Sequence, residues 1–412
     1  MNAVAPNLKS KLKSPPRAAE ERASDLERRR ELGQFFTPVG VTGFIWDVLE
    51  VIHGSPFPAH TRLIDPACGD GVFLRVAHER GGLRPDCLFG TDIDEMLVPA
   101  WRRDPLLGGA NVHLANGLLD EPALGIREGT FDILAGNPPF SGKGLRELLR
   151  LLEDPAGTEH HEEMDLFEAT WLKEEPAALR QPLTRQERKE LDRQVRILSQ
   201  YACWRLNAAP EEEEETDAAP AGPSTDFFAG MILSDRNRTT ISDLERAAHL
   251  IAHWPLDRPL EAARPEIRDV IRRLASTAIE VFFTERFLRL ARPGGLIAVI
   301  VPESIVASDR LGPLRRWLAG RMDLLASVGL PQKVFTGVGA NARTTILFAR
   351  RRIQERPDGW AAQDPDHLPD TDRMIYLTAP RLDAPHWSLE SYLESVLEGA
   401  RSHRNDFQPD TQ

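Results

Sequence analysis

"RLIDPACGDGVFLRVAHER", Arg62 to Arg80, decides how the rest of the chain is read. A short apolar run ends on Asp65. Ala67, Gly69 and Gly71 then fall in a turn of small residues, and "GVFLRVAHER" beyond it can be helical. Small residues let the backbone approach a ligand closely, and a helix N-terminus offers free N–H groups. Strand, tight turn and helix in that order open a βα unit.

The alternation continues. "CLFGTDI", "NVHLA" and "FDILAG" are further short apolar runs, each ending in or just before Gly, Asp or Asn. Asp65, Asp92, Asn116 and Asn137 follow one another at spacings of 27, 24 and 21 residues. Successive parallel strands would deliver these polar tips to one sheet edge. The pattern breaks over 145–270. That stretch holds an amphipathic helix, with Leu191, Val195, Leu198 and Ala202 at i, i+4, i+7 and i+11. It also holds "EEEEETDAAPAGPS", an acidic linker expected to be disordered near 208–225. The sheet pattern resumes with a helix ("STAIEVFFTERFLRLA"), a turn ("RPGG") and a strand ("GLIAVIVP"). Strands "LLASVGL", "TTILFAR" and "MIYLTA" follow, then a polar tail. The expected organisation is a flexible or helical extension (1–32), an α/β domain split over 33–144 and 271–380, a largely helical acidic insert (145–270) and a C-terminal tail (381–412).

Composition narrows the class. The 412 residues are 41% hydrophobic and 28% charged, ordinary for a soluble globular protein. Cys68, Cys87 and Cys203 form no metal-ligand spacing and no disulfide framework, which points to a reducing compartment. No leader pattern and no membrane-length apolar run is visible, so a cytoplasmic protein without membrane contact is expected. The net charge of −12 looks unfavourable for a nucleic-acid partner. Residues 145–270, however, hold 16 Lys/Arg against 27 Asp/Glu, a net of −11, so the remainder is close to neutral. The acidity belongs to the insert and leaves a nucleic-acid surface elsewhere open.

The first candidate site is the turn after Asp65. Asp92 lies 21 residues beyond Gly71, at the end of the next strand, where an acid binds ribose hydroxyls in doubly wound sheets. A tight turn without a ligand would explain a lone Gly-x-Gly, and the Asp92 spacing tips the balance toward a ligand. Val72, Phe73 and Leu74 replace the third glycine of the dinucleotide fingerprint, which argues against NAD. Asp65 suits an ammonium better than a pyrophosphate. S-adenosylmethionine carries an ammonium, a ribose and an adenine, and Asp65, Asp92 and Asn116 stand at three successive strand ends. Asn116 reads equally well as a turn residue in "ANG".

The second candidate site is "GNPPF", Gly136 to Phe140. Pro138 and Pro139 lock their own φ angles and hold the residues before them extended. The Asn137 amide and the neighbouring carbonyls are thereby set in advance. Such a corner suits attack by an amine conjugated to a ring, whose nitrogen is a poor nucleophile. The Asn137 side-chain oxygen and the Pro138 carbonyl can accept its two hydrogens and stabilise positive charge as it develops. Phe140 offers a flat face to a planar base. A proline-rich turn capped by a core Phe is the competing structural explanation.

"GQFFTP" (Gly33 to Pro38), "DPACGDG", "GTDID" (Gly90 to Asp94), "GNPPF" and "VFTGVGANARTTILF" (Val334 to Phe348) occur in that order. The series resembles the motifs of the gamma-group DNA adenine-N6 methyltransferases, shared by the modification subunits of type I restriction systems. The resemblance implies a class I methyltransferase fold, a Rossmann-like doubly wound and mostly parallel sheet. It implies S-adenosylmethionine as cofactor, DNA as substrate and base flipping to reach the adenine. Thr37 would touch the methionine end of the cofactor. Asp65, Ala67, Gly69 and Gly71 would line it, and Asp92, with Ile93 beside it, would hold the ribose end. Asn137, Pro138 and Phe140 would hold the adenine with Pro139 as scaffold, and Phe335 would face the other side of the base. Asn116 departs from the acid common in the family. Residues 349–412 leave little room for a recognition domain, so a separate specificity or restriction subunit is expected. Three other readings compete. One is a methyltransferase acting on ribosomal-RNA guanine or a protein glutamine. Another is a silent assembly subunit, and the last is an NAD-linked oxidoreductase.

Overall fold

The structure, a computed structural model, describes residues 36–140, 145–152, 183–206, 241–252, 265–331, 334–335, 343–355, 375–377 and 388–407. The expected N-terminal extension, the first half of "GQFFTP" and the acidic linker near 208–225 lie outside them.

Helix α1 (Val39–His53) starts straight after Pro38, whose carbonyl accepts the N–H groups of Val41 and Thr42. Its Val41, Phe44, Ile45, Val48, Leu49 and Ile52 form one buried stripe at helical spacing. The parallel units follow as β1 (Leu63–Asp65), α2 (Val72–Glu79), β2 (Leu88–Asp92), α3 (Val98–Arg103), β3 (Asn111–Leu114) and β4 (Phe131–Gly136). The insert supplies α4 (Arg185–Leu198), α5 (Cys203–Leu206), α6 (Ile241–Ala252) and α7 (Pro265–Ser276). Then come α8 (Ile279–Leu290), β5 (Ala291–Pro302), α9 (Glu303–Ala307), α10 (Gly312–Ala319), β6 (Met322–Leu330), β7 (Thr344–Arg351), β8 (Ile375–Leu377) and α11 (Leu389–Ser402).

The eight strands form one sheet in the order β3-β2-β1-β4-β5-β7-β6-β8. Strands β1 to β5 pair parallel, β7 runs antiparallel between β5 and β6, and β8 pairs parallel with β6. The chain leaves the centre at β1 toward β3 and returns through β4. That reversal opens a crevice at the carboxyl ends of β1 and β4.

Both faces of the central strands are covered, which is why those strands are largely continuous apolar runs rather than alternating ones, while the edge strand β3 is only partly buried. Ile64, Leu134, Ile297, Val299, Val301 and Leu347 point into one core. Leu63, Ile133, Leu296, Ala298, Ile300 and Phe348 point into the other. Helices α1, α2 and α11 fill the second core. The first is filled by α8 together with insert residues such as Val195, Leu198, Trp204, Ile251 and Val270. The described part of the insert therefore shares a core with the sheet.

Three details differ from expectation. "RPGG" is no turn between elements: β5 already pairs at Ala291 with Phe131, and Arg292 to Gly295 loop out before pairing resumes at Leu296 with Ile133. Gly294 supplies the positive φ (77°) that this bulge needs. The amphipathic helix stops at Leu198, so Ala202 lies beyond it. The polar tail carries α11, which buries Tyr392, Leu393, Val396, Leu397 and Ala400 against the α1 side of the sheet. Its stripe is narrow and its remaining residues are polar, which hides the helix in composition.

Candidate functional site

A cleft of about 860 Å³, its open mouth included, lies at the carboxyl ends of β1, β2, β3 and β4. Thr37, Asp65, Ala67, Gly69, Asp92, Ile93, Asn116, Asn137 and Pro139 all line it. The four polar tips read from sequence as one edge are thus gathered around one hollow.

Asp65 ends β1 and is 1% exposed. Its Oδ1 accepts the Ala67 N–H at 3.0 Å. Burial holds its carboxyl well above the usual carboxylate range, and the negative charges of Asp92 and Asp70 add to the rise, while the Ala67 hydrogen bond opposes it. No cation among the described residues offsets that burial. Gly136, at the end of β4, exists for this carboxyl: a Cβ there would stand 2.5 Å from Asp65 Oδ1.

The small-residue turn is held on every side. The Gly69 N–H donates to Asp92 Oδ2 at 2.9 Å, and Trp101 Nε1 donates to the Gly69 carbonyl at 2.8 Å. Asp92 Oδ1 accepts the Asp94 N–H at 3.0 Å. Gly71 starts α2 at φ 83°, a left-handed conformation that favours glycine, and its role is this turn; it does not line the cleft. Asn116 Oδ1 accepts the Leu118 N–H at 3.0 Å, so it is also the turn residue that "ANG" suggested.

On the other wall, Asn137 and Pro139 are half-buried and face the cleft. Pro138 and Phe140 are buried and do not line it. Phe335 is fully buried in the core that holds Phe348 and Val328, and it too is off the cleft. An apolar ring is stabilised by burial, by roughly 1.5–3 kcal/mol for a side chain of this size. Base-stacking by Phe140 or Phe335 would require the ring to turn outward against that cost.

Several lining residues were not singled out from sequence: Phe36, Cys68, Gly117, Ile279 and Phe283. Phe36 lies inside the quoted "GQFFTP", where only Thr37 had been given a role. Ile279 and Phe283 stand four apart on α8, a spacing that marks one helix face. Burial raises the Cys68 thiol well above its ordinary value, so it is inert at neutral pH.

The sheet order and the cleft at its strand tips define a class I methyltransferase fold. The family model for N-6 DNA Methylase matches residues 23–166. A methylase subunit of the type I restriction enzyme MjaIX from Methanocaldococcus jannaschii is 33% identical over 116 residues, 26% of this chain and 19% of the relative. The type II methyltransferase M.TthHB8I from Thermus thermophilus is 30% identical over 132 residues, 31% of this chain and 26% of the relative. The alignments therefore span about a fifth and a quarter of the two relatives. A type I restriction-modification methyltransferase subunit from Streptococcus thermophilus superposes with TM-score 0.44 at 14% identity, over 89% of this chain and 53% of that one. Among the described residues no helix is long and apolar enough to cross a membrane, and no cluster of metal-ligating side chains is present.

Proposed function

We propose that this chain transfers a methyl group from S-adenosylmethionine to the N6 amine of adenine in DNA. The observation that carries the reading is the single cleft ringed by Asp65, Asp92, Asn116 and Asn137. A buried carboxyl with no cation among the described residues to offset it is the group an ammonium ligand would satisfy, and the neighbouring strand tip carries an acid suited to a ribose. The family match over 23–166 supports the same reading.

In this reading Asp65 holds the cofactor's ammonium, Asp92 its ribose hydroxyls and Asn116 the edge of its adenine. Ala67 and Gly69 let the backbone approach, and Thr37 closes the methionine end. Bound S-adenosylmethionine supplies an electrophilic methyl group whose bond to sulfur breaks as the bond to nitrogen forms. Asn137 Oδ1 and the Pro138 carbonyl accept the hydrogens of the target amine and stabilise the positive charge that develops there. The methylated amine is then acidic enough to lose its extra proton to water, so no strong general base is required. Pro139 keeps the corner stiff, and Phe140 and Phe335 would pack on the flipped base after turning outward. Sequence specificity comes from a separate subunit, a reading supported by the acidity of the insert, a poor phosphate binder.

The test is DNA from cells expressing the chain, with its partner subunit where one is encoded, read for N6-methyladenine. The purified chain is incubated in parallel with methyl-labelled cofactor and separate DNA, RNA and protein pools. The expected result is N6-methyladenine that disappears with Asn137→Ala. Label confined to RNA or protein would reject DNA as the substrate.

A further inference from the structure

Behind the Asn116 wall of the cleft, three consecutive backbone carbonyls are held by side chains from far along the chain. The Gly117 carbonyl accepts Arg286 Nε at 2.9 Å, the Leu118 carbonyl accepts the Tyr201 hydroxyl at 2.7 Å, and the Leu119 carbonyl accepts Arg286 Nη2 at 2.7 Å. Arg286 Nη1 also donates to Asp120 Oδ1 at 2.7 Å. Tyr201 and Arg286 are both fully buried. The held segment is part of the site, since Asn116, Gly117 and Leu118 line the cleft. It is also pressed against the turn after β1: a Cβ on Gly117 would stand 1.7 Å from the Pro66 carbonyl.

Tyr201 belongs to the insert, and the turn that carries it is pinned to α8. Glu285, fully buried, accepts the Ala202 N–H at 2.9 Å and the Cys203 N–H at 2.7 Å. Arg289 donates to the Gln200 carbonyl at 3.2 Å, and its guanidinium stands 4.6 Å from the centre of the Tyr201 ring. Helix α8 in turn presents Ile279 and Phe283 to the cleft. One helix thus touches the hollow, the wall behind it and the insert.

We infer that Tyr201 and Arg286 are positioning residues that set the Asn116–Leu118 wall of the cofactor cleft, so that the insert is part of the cofactor site. The inference rests on the methyltransferase reading. Tyr201→Phe removes one oxygen and leaves the Leu118 carbonyl buried without its donor, an asymmetry that loosens the segment. Cofactor affinity, measured by calorimetry with S-adenosylhomocysteine, is expected to weaken about fivefold to tenfold. The cofactor KM should rise with it, while kcat at saturating cofactor stays within about twofold. Arg286→Lys, which keeps the charge and loses the fork, is expected to weaken binding further.

Val195→Ala is the comparison, because Val195 is a buried insert side chain outside the hydrogen-bonded wall. It is expected to lower the thermal midpoint without changing cofactor affinity. A Tyr201→Phe protein with a lowered midpoint and unchanged affinity would overturn the inference, as would an equal loss of affinity in Val195→Ala. A wild-type chain that binds no S-adenosylhomocysteine would remove the methyltransferase reading itself, and this inference with it.

Discussion

The two halves of the sheet are built alike inside and differ at their ends. Strands β1, β2, β3 and β4 run parallel, and their carboxyl ends present Asp65, Asp92, Asn116 and Asn137 to one cleft. Strands β5, β7 and β6 are as deeply buried, with Ile300, Phe348, Ile346 and Val328 fully covered, yet β5 ends on Pro302 and β6 on Leu330. The antiparallel β7 puts its start, Thr344, beside those two ends. Burial therefore accounts for the strand interiors of both halves, and chemistry accounts for the tips of only one. The difference separates two kinds of substitution: loss of an interior side chain should act on folding, and loss of a tip should act on ligand or rate.

Phe348→Ala is the most severe test of the interior. Phe348 is fully buried in mid β7, opposite Ala298 and Ala326, so small neighbours cannot fill the space. Stability to urea is expected to fall by about 3–5 kcal/mol, with cofactor affinity of the folded fraction unchanged. A loss of affinity without a loss of stability would break the division between the halves.

Asn137→Ala is the corresponding test of a tip. Methyl transfer is expected to fall about a hundredfold, ~2.7 kcal/mol of barrier, with cofactor affinity and thermal midpoint close to wild type. Less than a tenfold loss in single-turnover rate would remove Asn137 from the reaction.

The same contrast explains what sequence could show. "FDILAG" and "GLIAVIVP" are legible as strands because burial on both faces leaves them apolar except at Asp132, which is half-buried near the start of β4. The tips are legible because an Asp or Asn at the end of such a run interrupts it at nearly regular intervals. Helix α1 carries as strong a stripe, Val41, Phe44, Ile45, Val48 and Ile52, but it adjoins "GQFFTP", and that motif absorbed the reading. Helix α11 hides its stripe among Glu and Ser. The long-range parts of the site were out of reach for a different reason. Tyr201 meets a carbonyl 83 residues away and Arg286 one 169 residues away, and no periodicity in a single sequence encodes such pairings. The burial of Phe140 and Phe335 was likewise invisible, since an aromatic beside a glycine-rich or proline-rich turn reads equally as core or as stacking face.

Asp65 sharpens the comparison, because at this tip stability and function pull in opposite directions. A buried carboxyl without a cation disfavours folding in its charged form. Asp65→Asn keeps the shape and removes the charge. Cofactor affinity is expected to weaken about thirtyfold, ~2 kcal/mol, while the thermal midpoint of the free protein at pH 7 stays level or rises. A midpoint that falls along with affinity would make Asp65 a structural residue.

The smallest effect is the pH dependence of that same group. Its folded pKa is raised, so the native state holds its proton more tightly than the unfolded chain does. The stability this contributes is fully present below the unfolded pKa, ~3.9, and is lost as pH rises through the folded value. A cationic amine favours the ionised carboxylate and lowers that folded value. Cofactor binding should therefore release up to one proton below it, and affinity should tighten with rising pH until Asp65 is ionised in the free protein. The measurement is calorimetry with S-adenosylhomocysteine from about pH 5 to 7.5, where an α-amine remains mostly charged, in buffers of different ionisation enthalpy. Asp65→Asn should abolish both the proton release and the slope. A wild-type protein that binds with no proton exchange across that range, and with an affinity independent of pH, would show that binding leaves the protonation of Asp65 unchanged, and the linkage between its raised pKa and the ligand would fall.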